Sequence, residues 1–133
     1  MFKRVSSLFI TVTLFLIIGV TTAFAEEMNV RWLYTTTCMS TLTVSGTTGT
    51  CYSTIICPST TTKIEITQTL QVKDGNQWRT SHTWTKTVNG SDYNFVNTRT
   101  LYSGNIYRVK TQFKVYQGTN SETIYAYSRT KTV

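Results

Sequence analysis

The stretch from Ile106 to Tyr116 alternates without interruption. Tyr107, Val109, Thr111, Phe113 and Val115 fall on one side, and Arg108, Lys110, Gln112 and Lys114 on the other. A period of two with one apolar and one charged face describes a β-strand lying between a core and water. A strand of this kind must be flanked by others that share its buried face, so the rest of the chain has to supply a sheet.

It does so in short segments. Cys38 to Ser45 carries Leu42 and Val44 on one face, and Thr50 to Cys57 carries Cys51, Ser53, Ile55 and Cys57 on one face. Lys63 to Lys73 places Ile64, Ile66, Leu70 and Val72 opposite Glu65, Thr67, Thr69, Gln71 and Lys73. Asp74-Gly75-Asn76 reads as a tight hairpin because glycine accepts the positive φ such turns need. The chain is then expected to return over Gln77 to Thr87, with Trp78, Thr80, His82 and Trp84 on one face. Further strands are expected at Tyr93 to Tyr102 and Thr123 to Thr130. Leu101, Gly104 and Tyr107 have the spacing of a tyrosine corner, in which a tyrosine at the start of one strand bonds back to the preceding loop. Seven short strands with turn signals between them predict an all-β fold, a seven-strand immunoglobulin- or fibronectin-III-like antiparallel sandwich. Val109 occupies the position of the second bridging cysteine of antibody-type domains, so that inter-sheet disulfide is excluded.

The start of the chain has a different character. Lys3 and Arg4 precede an apolar run ending near Val20, and Ala23-Phe24-Ala25 is a small-x-small cleavage signature. Residues 1–25 therefore read as a secretory signal peptide cut after Ala25, residues 26–37 as an extended lead-in, and residues 38–133 as the sandwich domain. The expected location is extracellular, with no membrane anchor left after cleavage. Losing Lys3 and Arg4 lowers the formal charge from +7 by two, to +5. That excess favours anionic partners, but no basic run exceeds two residues, which argues against nucleic acid. Eight tyrosines, six phenylalanines and three tryptophans against one proline exclude a disordered Ser/Thr-rich stalk.

In an oxidising compartment three cysteines leave one odd. A turn centred between Thr47 and Thr48 sets Val44 against Cys51, Leu42 against Ser53 and Cys38 against Cys57. Cys51 and Cys57 lie along one strand about 20 Å apart, far beyond the roughly 7 Å a disulfide spans. The expected bridge is therefore Cys38–Cys57, with Cys51 as a buried free thiol.

Leu70-Gln71, Gly75, Trp78, Trp84, Gly104 and Tyr107-Arg108-Val109, with Gly49-Thr50-Cys51, resemble a family of small secreted immunoglobulin-like proteins of Gram-positive bacteria. The likeness spans roughly residues 40–130. It implies a signal peptide and a sandwich fold and carries no assigned activity. Members of that family carry the cysteine matching Cys51, so Cys38 and Cys57 are a departure that fits an added bridge.

No catalytic constellation is evident. His82 is the single histidine and no Cys-x-x-Cys occurs, so no metal site or cofactor is expected. The six carboxylates show no acid–base pairing and no serine stands in a nucleophile motif. The chain is read as not an enzyme. The feature that remains is a face bearing Arg108, Lys110, Lys114 and Tyr116 beside Tyr125 and Tyr127. It suits a binding module for an anionic wall polymer, glycan or surface protein. The competing expectation is a small antagonistic protein or toxin acting on membranes.

Overall fold

The computed structural model describes residues 33–133. The signal peptide and most of the lead-in expected from the sequence lie outside the described residues. Eight strands, not seven, follow in order: β1 (Thr37–Ser45), β2 (Thr48–Ile56), β3 (Lys63–Asp74), β4 (Gln77–Val88), β5 (Asp92–Thr100), β6 (Ile106–Gln117), β7 (Asn120–Tyr127) and β8 (Lys131–Thr132). They form two antiparallel sheets. One has the order β1-β2-β5; the other runs β4-β3-β6-β7, with β8 also pairing with β6. The extra strand arises because the closing strand is interrupted at Ser128. The Ser128 hydroxyl accepts the Val109 amide (2.8 Å), and the Ser128 amide donates to the Val109 carbonyl (2.9 Å).

The alternation of β6 has the structural meaning its pattern requires. Tyr107, Val109, Thr111, Phe113 and Val115 are all buried, and the residues between them are half-buried. Both sheets contribute to the core, giving a β-sandwich-like arrangement. At one end Leu42 and Cys51 pack with Leu70, Val72, Tyr107 and Val109. At the other, Ile55 and Cys57 pack with Ile64, Ile66, Phe113, Val115 and Ile124. The Tyr107 hydroxyl accepts the Tyr102 amide at 3.0 Å, the bond expected of a corner tyrosine.

Between these two apolar clusters lies a polar layer. The Thr111 hydroxyl meets the Ser40 hydroxyl at 3.0 Å and the Ser53 hydroxyl at 2.7 Å. Gln68 Nε2 donates to Ser53 Oγ (2.7 Å) and to the Phe95 carbonyl (3.2 Å), and Asn97 Nδ2 donates to Gln68 Oε1 (2.9 Å). The layer thus ties β1, β2 and β5 of one sheet to β3 and β6 of the other. Ser53, Gln68 and Thr111 are fully buried, so each bond replaces water that cannot enter.

Two registers differ from the sequence expectation. Ser45 pairs with Thr48 across a two-residue Gly46-Thr47 turn, with Gly46 at φ +61°. The hairpin is therefore shifted by two residues: Leu42 faces Cys51, Ser40 faces Ser53, and Cys38 faces Ile55. A shift of two keeps every side chain on its face, so alternation alone cannot detect it. Gly49 is consequently in β2 and not in the turn, and a Cβ there would stand 2.7 Å from Leu101 Cδ1. In β4, the register slips between Leu70 and Gln71: Leu70 pairs with His82 and Gln71 with Thr80, leaving Ser81 as a bulge. A bulge residue reverses the parity beyond it. Trp78 and Thr80 therefore do not share a face with His82 and Trp84, contrary to the sequence expectation.

The polar layer makes a specific demand on stability. Thr111→Val keeps the shape but takes one hydrogen-bond partner from each of two buried serine hydroxyls, and is expected to cost about 1–3 kcal/mol in urea unfolding. Adding Ser40→Ala and Ser53→Ala to that variant is expected to cost less than the same changes cost in the wild type. Additive costs would contradict the network.

Candidate functional site

The outer face of the larger sheet is built by the odd-numbered residues of β3, the even-numbered residues of β6 and the matching positions of β4 and β7. Register aligns them in rows: Trp78 with Lys73, then Gln71 with Arg108, Lys110 with Tyr127, Gln112 with Tyr125, and Lys63 with Tyr116. Long cationic side chains lying beside rings on a sheet surface make cation–π contacts. The Arg108 guanidinium carbon is 4.3 Å from the centre of the Trp78 ring and 4.8 Å from that of Tyr127. The ammonium groups follow suit: Lys110 over Tyr125 (5.3 Å), and Lys114 and Lys63 over Tyr116 (5.3 and 4.3 Å).

Arg108 is the most constrained of these. Its Nε donates to Gln71 Oε1 at 2.8 Å. Sheet order puts Trp78 on the β3 side of β6 and Tyr127 on the β7 side, so the two rings flank the guanidinium. Among the described residues its terminal nitrogens have no hydrogen-bond partner, and the one ion pair is Lys63 Nζ to Glu65 Oε1 at 3.3 Å. The Tyr116 hydroxyl, with Lys63, holds the Glu65 carboxyl below its usual range, and Tyr116 raises Lys114. The face therefore carries four ring-contacting cations against this single carboxylate. Tyr125 and Tyr127 remain half exposed, at 51% each.

The structure brings together all six residues that the sequence assigned to this face: Arg108, Lys110, Lys114, Tyr116, Tyr125 and Tyr127. It adds Trp78, Gln71 and Lys63. Trp78 was hidden by the bulge at Ser81. Gln71 and Lys63 were legible as outward on β3, but not that β3 is the neighbour of β6. Between the rows, short threonine side chains leave a trough of about 130 Å³ lined by Thr67, Thr69, Gln71, Thr80, Lys110 and Gln112. A second groove, of about 380 Å³, runs between β1 and the β7–β8 edge, lined by Met39, Leu42, Tyr127, Arg129, Lys131 and neighbouring β1 residues.

His82 packs edge-on against Trp84 with ring centres 4.5 Å apart. No group of three metal-ligating side chains occurs among the described residues. All three cysteines are free thiols, which corrects the expected Cys38–Cys57 bridge. Both pack in the same end of the core, but the hairpin shift makes them diagonal and not opposed. Diagonal neighbours stand about 7–8 Å apart, beyond disulfide reach. Burial raises both thiols, and pushes Cys51 from 9.0 to about 11. Thiols shifted in that direction are poor nucleophiles at neutral pH.

Comparison with known proteins returns no matching family model, no matching curated protein and no matching solved structure.

The Cys51 shift has a consequence at alkaline pH. The folded protein holds this proton more tightly than the unfolded chain. The stabilisation is complete below the unfolded value near 9.0 and is lost as pH rises toward 11. Between pH 8 and 10.5 the wild type is expected to lose about 1–2 kcal/mol more stability than Cys51→Ala, read from urea melts. Parallel pH profiles would contradict it.

Proposed function

We propose that the chain is an exported, non-enzymatic binding module that engages an anionic extracellular polymer through the outer face of its larger sheet. The observation that carries this reading is the row of Lys63, Arg108, Lys110 and Lys114 held over aromatic rings with one carboxylate among them. Rings fix the cations in place, so less side-chain entropy is lost on binding, and the unneutralised charge attracts polyanions. Half-exposed tyrosines add stacking surfaces for sugar rings.

The fold itself has a finer reading. The order β1-β2-β5 against β4-β3-β6-β7, with the Tyr107–Tyr102 bond, favours an immunoglobulin- or fibronectin-III-like sandwich. That architecture alone carries no activity, so the reading rests on the face. The proposed setting is outside a Gram-positive cell, after cleavage near Ala25.

An array of glycans and wall polymers tests this directly, with wild type compared to the triple variant Arg108→Ala/Lys110→Ala/Tyr127→Ala. Wild type is expected to retain anionic polymers and to release them as salt rises. The variant should bind about tenfold or more weakly, as loss of two phosphate- or carboxylate-facing cations and one ring implies. Equal binding by both proteins would remove this face as the site. No retention of any polymer, with leakage from anionic liposomes, would favour a membrane-active antagonist.

A further inference from the structure

Arg108 is arranged unlike a solvated surface arginine. Its Nε is committed to Gln71 (2.8 Å), and the Trp78 and Tyr127 rings flank its planar group. The side chain is half-buried. What is left is the pair of terminal nitrogens, whose four N–H donors have no partner among the described residues. A guanidinium so fixed offers a preformed planar fork for an oxyanion, with its rotamer freedom already spent.

The ground beside the fork narrows the ligand. Gln71, which holds Arg108, also lines the 130 Å³ trough. Its other walls are hydroxyls, amides and the Lys110 ammonium. At about 30 Å³ per water this is room for some four waters, enough to seat one edge of a sugar ring. Hydroxyl and amide groups at Thr69, Thr80 and Gln112 are suited to exchanging hydrogen bonds with ring hydroxyls. Tyr125 and Tyr127 border the β7 side of the same rows and stand half exposed. A single fork beside a neutral polar trough fits one planar carboxylate attached to a sugar ring. A chain of phosphates would be better served by several free cations together.

We infer that Arg108 docks the carboxylate of an acidic sugar unit, such as a uronic acid within an oligosaccharide, whose ring lies along the trough toward Gln112. This deepens the binding reading above and rests on it. The cationic row supplies general attraction, and the Arg108 fork supplies selection for the carboxylate.

The test is isothermal titration of the folded protein with a galacturonic acid tetramer, with the same tetramer after its carboxylates are reduced to alcohols, and with a polyol phosphate oligomer. Arg108→Lys keeps the charge but loses the fork, Gln71→Ala frees the arginine, Lys114→Ala removes another cation of the row, and Arg99→Ala removes an exposed cation on β5 of the other sheet. Thermal melts establish that each variant is folded. The acidic tetramer is expected to bind about tenfold or more tightly than its reduced form. Arg108→Lys should lose about tenfold or more, and Gln71→Ala and Lys114→Ala a smaller part, while Arg99→Ala changes binding less than about threefold. Equal affinity of wild type and Arg108→Lys for the acidic tetramer, or of wild type for the acidic and reduced tetramers, would overturn the inference. Binding of the polyol phosphate alone, weakened by Lys114→Ala and not by Arg108→Lys, would also overturn it while leaving the cationic face as a binding surface. Failure of all three ligands, with the triple variant matching wild type on the array, would overturn both readings.

Discussion

The hydroxyl of Thr111 is the point on which the two sheets are aligned. It stands in the middle of the strand whose apolar neighbours fill the core, and it bonds to serines on two strands of the opposing sheet. Gln68 and Asn97 extend the contact across to β5. Apolar side chains attract without direction, so two greasy faces can slide past one another at little cost. A buried polar layer cannot. Displacing one sheet along the other leaves buried hydroxyls and amides without partners, at about 1–3 kcal/mol for each. The layer divides the core into two apolar clusters and contributes register more than adhesion.

Much of this was legible in the sequence. The alternation of β6 and β3 fixed which side chains are buried, because a half-buried strand leaves no other arrangement. The β1–β2 register was misread because parity has a period of two and cannot separate pairings that differ by two residues. The information was nevertheless present. Ser40 and Ser53 are both polar on an inward face, and buried polar groups require partners, so pairing them with each other gives the observed register directly. Centring the turn between Thr47 and Thr48, and not on Gly46-Thr47, led to Cys38 facing Cys57. The bulge at Ser81 carried no comparable signal. Gln77 to Val88 is mostly threonine, tryptophan and charge, and nothing in that composition marks an extra residue. Neither glycine nor proline stands there, and the neighbouring strand is what reveals the slip.

The same bulge links fold to candidate site. With an unbroken β4, Trp78 would share the inner face with Trp84. The inserted residue turns it outward, where it meets Arg108. β6 was legible as a row of cations, and its tyrosine neighbours on β7 as a second row. The clamp around Arg108 was not, since it is assembled from β4, β3, β6 and β7, strands whose order no local pattern states. β6 thereby serves two purposes through its two faces. Its inward residues hold the sheets together, while its outward residues are held by rings and not by carboxylates, and so keep their charge available. Surface ion pairs are common ways to quiet an exposed cation; among the described residues the one pair is Lys63 with Glu65, and Arg108, Lys110 and Lys114 lean on aromatic faces. Such contacts are worth about 0.5–1 kcal/mol each at exposed sites, enough to order a side chain without neutralising it.

The central claim is that binding is confined to this outer face and centred on Arg108, separate from the core that stabilises the fold. Chemical-shift mapping on labelled protein during titration with an acidic oligosaccharide tests it most directly. The account predicts the largest changes at the Arg108 Nε–H, the Trp78 indole N–H, the side-chain amides of Gln71 and Gln112, and the β6 and β7 backbone around Lys110 and Tyr125, with β1, β2 and β5 unmoved. Changes centred instead on the β1 edge around Met39 to Thr43, with Arg108 and Trp78 unperturbed, would contradict it.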